Sequence, residues 1–179
     1  LAGRSAARRR ELQLDSLDAS DPRLLWLLSQ VRRWREAGEK TLVFVAHRET
    51  LEMLRNALND RARITSGVFH EDLSPARRDT EVARFRAADG PSLLVSTECG
   101  GEGRNFEFCQ RLVLWDLPWK PSLVEQRIGR LDRIGRQIPV DIVYFKPPAG
   151  IGRVVVELFE KLGLFREPMA GVEPQLAPL

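Results

Sequence analysis

The sequence is poor in the residues that bind metals or staple small folds, with two cysteines and two histidines in 179 residues. Cys99 and Cys109 stand ten apart without a second pair, and His47 and His70 are remote from each other. No zinc-ligand spacing is present, so no metal site is expected. Two unpatterned cysteines without a signal-peptide pattern fit a reducing cytoplasm. No apolar run approaches the roughly 20 residues of a membrane-spanning helix, and no membrane partner is expected. Charge of neither sign dominates: 28 Lys and Arg against 25 Asp and Glu leave a net +3, too mild a sum to argue for nucleic acid by itself.

What is present is ordinary globular material, 43% hydrophobic and 30% charged, enough for one domain with a sizeable core. Apolar periodicity alternates between two kinds. Asp21-Pro22 reads as an N-cap and first turn before a helix carried by Leu24, Leu25, Leu27, Leu28 and Val31 and ended at Gly38. Helical patterns recur over 49–58, from Ser74-Pro75 to about Ala87, and through Val154, Val155, Leu158, Phe159 and Leu162. Short β-prone runs separate them at 41–46, Val68-Phe69, 92–96, 111–115 and 140–145. Strands alternating with helices imply an α/β fold, a mainly parallel sheet covered on both faces. The expected organisation is a basic linker at 1–20, a domain at 21–165 and a C-terminal extension at 166–179. The chain opens on Leu1 and ends on Pro178-Leu179, and reads as a fragment of a longer protein.

In such sheets ligands collect beyond the carboxyl ends of the strands, which selects four loops: 46–48, 69–71, 96–105 and 116–120. The third carries Gly100, Gly101 and Gly103 within four residues, a stretch where backbone can approach a phosphate closely; a plain surface turn is the bland alternative. Arg48 needs only charge and reach to touch a phosphodiester, whereas a histidine at a strand end, such as His47 or His70, is more often a satisfied structural group. Trp115 and Trp119 invite base stacking, but aromatic residues bracketing a strand end more often bury against neighbouring helices. Asp116 is placed to cap or orient its loop.

The densest signal follows. In Glu125-Gln126-Arg127-Ile128-Gly129-Arg130-Leu131-Asp132-Arg133-Ile134-Gly135, Gln126 and Arg130 are four apart and Arg130 and Arg133 three apart, a spacing that shares one helix face. The pattern predicts a helix from about Pro121 to Ile134, with Gly135 as its C-cap. A mid-helix Gly129 costs roughly 1 kcal/mol and implies close approach by another backbone or a ligand. A solvated basic helix is the plain alternative.

Gln126-x-x-Gly129-Arg130-x-x-Arg133 resembles motif VI of superfamily-two helicases and translocases. With Phe106 and the run 114–121, the string resembles the bacterial Swi/Snf-type ATPases, nearest the RapA kind that associates with RNA polymerase. One departure stands out: relatives carry glutamine where this chain has Arg136. The resemblance spans about residues 40–146 and implies a RecA-like three-layer fold, the second of two such lobes. It implies catalytic roles for Arg130 and Arg133, and a nucleotide-side position for Gln126, Gly129, Glu102, Gly103 and Asn105. It also implies nucleic-acid contacts at His47, Arg48, His70, Ser96, Thr97 and Gly100. The implied cofactor is ATP with Mg²⁺, held mainly by a missing first lobe, because this sequence contains neither a Gly-x-x-x-x-Gly-Lys-Ser/Thr loop nor an acidic Asp-Glu box.

The resulting expectation is a cytoplasmic ATP hydrolase of the translocase type, inactive as this fragment alone. Its partners would be double-stranded DNA, the first lobe of the same parent and RNA polymerase. Two alternatives stay open: a lobe of a restriction or defence translocase, and a catalytically idle module that binds nucleic acid or protein.

Overall fold

The computed structural model describes residues 20–97, 104–132, 136 and 139–166. Helix α1, Pro22–Glu36, begins as its sequence predicts: the Asp21 carboxylate accepts a hydrogen bond from the Arg23 amide at 2.8 Å, with proline in the first turn. It stops where Gly38 takes a left-handed φ of +70° and Glu39 N–H closes back onto Trp34 O at 2.9 Å. Strand β1, Thr41–Phe44, follows. Helix α2, Arg48–Ala57, runs on into a π-helical turn, Leu58–Ala62, that the periodicity did not anticipate. The wider turn lets Leu58 and Ala62 both reach the core before Arg63 reverses the chain at φ +58°.

Strand β2, Gly67–Phe69, leads to α3, Pro75–Arg86, capped by the Ser74 hydroxyl, and then to β3, Leu93–Ser96, and β4, Arg111–Leu114. Helix α4, Pro121–Gly129, strand β5, Asp141–Tyr144, and helix α5, Ile151–Lys161, complete the order. All four strand pairings are parallel, in the order β2-β3-β1-β4-β5.

The period-two alternation of strand side chains splits the core. Val43, Val45, Val95, Val113 and Trp115 pack with Leu24, Leu27 and Trp34 of α1 and Leu51 and Leu54 of α2. Leu42, Phe44, Leu94, Leu112 and Leu114 face Phe85 of α3, Val124 of α4 and Phe159 of α5. Two buried cations fasten the amino edge. Lys40 Nζ donates to the carbonyls of Ala87, Gly90 and Pro91 at 2.7–3.2 Å. Arg111 bridges Asp141 at 2.6 Å and Glu39 at 2.9 Å, with its guanidinium 4.2 Å from the Trp34 ring centroid. Among the described residues no helix is long and apolar enough to cross a membrane.

Candidate functional site

From β1 the chain crosses to the β2 side of the sheet, whereas from β4 it moves to β5 on the other. The carboxyl ends of β1 and β4 therefore form a topological switch point, the place where open parallel sheets bind ligands. Asp116 ties this edge together by accepting a hydrogen bond from the Ala46 amide at 2.8 Å, the orienting role its position suggested. Trp115 is buried, edge-on to Phe145 at 5.4 Å, with the Arg23 guanidinium 4.8 Å from its ring. Trp119 is 66% exposed, against the expectation that both tryptophans are buried. It lies beyond the strand, on the loop leading to Pro121.

The loops after β1, β2 and β3 converge on one polar cluster. Arg48 contacts His70 Nδ1, holds Glu52 at 2.6 Å and reaches Asp72 at 3.5 Å. His70 is 4% exposed, and burial first, then the Arg48 charge, hold its imidazole below the ordinary range near 6.5. A neutral ring presenting a lone pair to Arg48 carries its proton on Nε2. Thr97 donates its hydroxyl to Glu71 Oε2 at 2.6 Å, and its amide to Phe69 O at 3.0 Å. The Thr97 hydrogen bond is also the main reason the Glu71 carboxyl sits below its usual range. Ser96 is buried, with its hydroxyl turned onto Thr97 O at 2.8 Å. His47 is the exposed N-cap residue of α2 and makes no side-chain capping bond. Arg48, His70, Ser96 and Thr97 are thus neighbours through Glu71 and Phe69, and carboxylates already occupy the arginine.

The motif helix is shorter than its pattern predicts. It ends at Gly129, with Arg130 as C-cap, rather than continuing to Ile134. The physical reason is a competing partner: Arg130 O accepts from the Phe106 amide at 2.8 Å, which ties the helix end to the loop before β4. Gly129 is therefore a terminal residue, and among the described residues a Cβ there would meet no atom beyond its own helix within 4 Å. Gln126 is exposed and Arg130 half-buried on the same helix end. Asn105 Oδ1 accepts from the Glu107 amide at 3.0 Å and shapes the turn below them. Gly100, Glu102, Gly103 and Arg133, with Ile134 and Gly135, lie outside the described residues.

Two residues do work that sequence reasoning did not assign. Arg127 is 4% exposed, donates to Asp116 O at 2.7 Å and lies 5.2 Å from the Phe44 ring centroid. It shares the core-facing side of the helix with Pro121 and Val124, at intervals of three residues. Arg136 donates to Cys109 O at 2.7 Å and Leu131 O at 3.3 Å, and also contacts Glu107 O. An arginine in place of glutamine here fastens the segment after the motif to the loop before β4. Burial pushes the Cys109 thiol up to about 12, so it is inert packing.

Comparison with known proteins agrees with this geometry. Residues 23–135 match the helicase conserved C-terminal domain. The RNA polymerase-associated protein RapA of Sodalis glossinidius is 46% identical over 132 residues, 72% of this chain and 13% of the RapA length. The chain therefore spans about an eighth of the curated relatives it matches. Among solved structures, the C-terminal part of the Fun30 ATPase domain superposes with a TM-score of 0.64 at 18% identity, covering 83% of this chain and 46% of that one. The Sulfolobus solfataricus SWI2/SNF2 ATPase core gives 0.61 at 17% identity, covering 82% and 28%. With a five-stranded parallel sheet sandwiched between helices and the motif helix seated at its carboxyl edge, the chain belongs to the helicase conserved C-terminal domain family, in its RapA-like, Swi/Snf-type branch.

Proposed function

We propose that this chain is the second motor lobe of an ATP-dependent translocase on nucleic acid, double-stranded DNA in the first instance. Its domain would occupy residues 21–165. One observation carries the reading: Arg127 is nailed inward while Phe106 clasps the backbone of Arg130, fixing the end of α4 at the carboxyl edge with Gln126 outward. Among the described residues nothing crowds Gly129, which leaves room there for a second body. The donor chemistry fits a triphosphate, since permanently charged planar forks suit phosphate oxygens.

ATP, with Mg²⁺ held mainly by the first lobe elsewhere in the parent, supplies the phosphoryl group whose loss drives stepping. Arg130 and Arg133 supply positive charge to that phosphoryl group, a contribution that in related chemistry reaches about 10³ to 10⁵ fold in turnover. Gln126, Gly129 and Asn105 face the nucleotide, together with Glu102 and Gly103. Arg48, His47, His70, Ser96, Thr97 and Gly100 line the path of the strand. Because Glu52 and Glu71 hold Arg48 and the Thr97 hydroxyl, a phosphate must exchange for a carboxylate to bind there. RNA polymerase, from the name of the 46% identical relative, is the partner, and the cytoplasm the compartment.

The test uses the 179-residue chain itself. Steady-state ATPase should not exceed that of an Arg130→Ala control, and duplex DNA affinity should fall steeply with salt, with a log–log slope of about −0.9 per phosphate contacted. Turnover above the control, or a flat salt dependence, would overturn the reading.

A further inference from the structure

On the opposite, amino edge of the sheet lies a second concavity that the motor reading does not use. It has a volume of about 470 Å³ and is bounded by Arg35 at the end of α1, Arg63 and Thr65 before β2, Arg84 near the end of α3, and Asp89 and Ser92 before β3. We propose that this concavity is a binding site for a phosphate-bearing ligand, distinct from the carboxyl-edge surface.

Three features point to an oxyanion. First, three guanidiniums share the cavity with one carboxylate. Arg84 reaches Glu81 at 3.4 Å, an exposed pair of small worth, and among the described residues no carboxylate holds Arg35 or Arg63. Three exposed arginines with Asp89 as the one carboxylate among the lining residues leave an excess of positive charge that a polyanion would balance.

Second, Arg63 stands in the left-handed region, the only described non-glycine residue to do so. That conformation costs an L-residue roughly 1–2 kcal/mol. Its backbone work there, donating its N–H to Asn59 O and Leu58 O, is work glycine would do with less strain. The strain is thus accepted at a position whose side chain lines the cavity. Third, Ser92, 8% exposed, lines the same cavity, and its hydroxyl, sealed from solvent, has no hydrogen-bond partner among the described residues. Buried hydroxyls are ordinarily paired, and rotation about χ1 toward the cavity would offer this one to a phosphate oxygen. The volume suits a di- or triphosphate group.

The phosphate has two sources, a free polyphosphate or nucleotide and the backbone of a nucleic acid, and the experiment separates them. Inorganic tripolyphosphate is titrated into the 179-residue chain by calorimetry at low salt. Arg63→Gly and Arg84→Ala should each weaken binding at least about tenfold, the loss of roughly one charge-assisted bond. Arg32→Ala, which removes the same charge from an exposed site on α1, should change it less than twofold. Arg63→Gly should also hold or raise the melting temperature, because it relieves the left-handed strain, an outcome that a merely structural arginine would reverse. Competition between tripolyphosphate and a 20-base-pair duplex, lost in Arg63→Gly, assigns the site to nucleic-acid backbone; absence of competition assigns it to small polyphosphates. No saturable binding, binding indifferent to Arg63→Gly and Arg84→Ala, or an Arg63-dependent site that takes polyglutamate and not tripolyphosphate would overturn the proposal.

Discussion

At the scale of single residues, two adjacent polar side chains of one helix have opposite fates. Gln126 faces outward, while Arg127 spends its charge on a backbone carbonyl and an aromatic face inside. Arg127 is therefore what aims its neighbours. Arg127→Leu should destabilise the chain by about 1–3 kcal/mol, since the Asp116 carbonyl loses its donor in a buried place, and chemical denaturation should read that loss as a lower midpoint. Arg127→Lys should recover only part of it, because an ammonium cannot reproduce the planar stacking. The spacing of Gln126, Arg130 and Arg133 was plain in the sequence. The anchoring role of Arg127 was not, because a string of alternating arginines does not say which of them faces the core until the sheet is placed beneath the helix.

At the scale of elements, the strands were legible to within one or two residues, most plainly β1, β3 and β4, which are buried along their whole length and read as near-continuous apolar runs. Helix starts were equally plain where Asp21-Pro22 and Ser74-Pro75 supply side-chain caps. Helix ends were not. Helix α4 stops five residues before its apolar pattern does, and α2 overruns its pattern through a π turn, because in each case a tertiary partner outbids local propensity. Which loops meet is likewise a property of strand order: β3 lying between β1 and β2 brings Thr97 to Glu71, and through His70 to Arg48.

That loop cluster carries a pH dependence. His70 is held neutral by burial and by Arg48, against the weaker opposing charges of Asp72, Glu71 and Glu52. The unfolded chain takes up a proton below about pH 6.5 while the folded chain resists it, so stability is full above that pH and falls as the medium is acidified. The slope approaches about 1.4 kcal/mol per pH unit at most. Glu71, whose carboxyl is depressed, begins to matter only below its ordinary value of 4.5. Denaturation midpoints at pH 7.5 and 5.5 should therefore separate in the native sequence and draw together in His70→Gln. An equal separation in both would place the titrating group elsewhere.

At the scale of the whole molecule, the sheet has two working edges of different character. The carboxyl edge carries the motif helix and the cluster of Arg48, His70 and Thr97, whose arginine is already matched by carboxylates. The amino edge carries an arginine-lined hollow with little to neutralise it. The fold follows from composition and periodicity, and the family from one string of residues. On the proposed reading the arginines of that string act on a nucleotide whose phosphate loop this sequence does not contain, and the relatives are about eight times longer than the matched segment. The account therefore stands on a division of labour between two lobes, which one measurement in the full-length parent tests most directly. Steady-state ATP turnover and duplex DNA affinity are determined side by side for the native protein and for Arg130→Ala. Turnover should fall by about 10³ fold or more with DNA affinity unchanged within about twofold, whereas unchanged turnover, or equal loss of turnover and affinity, would contradict the account.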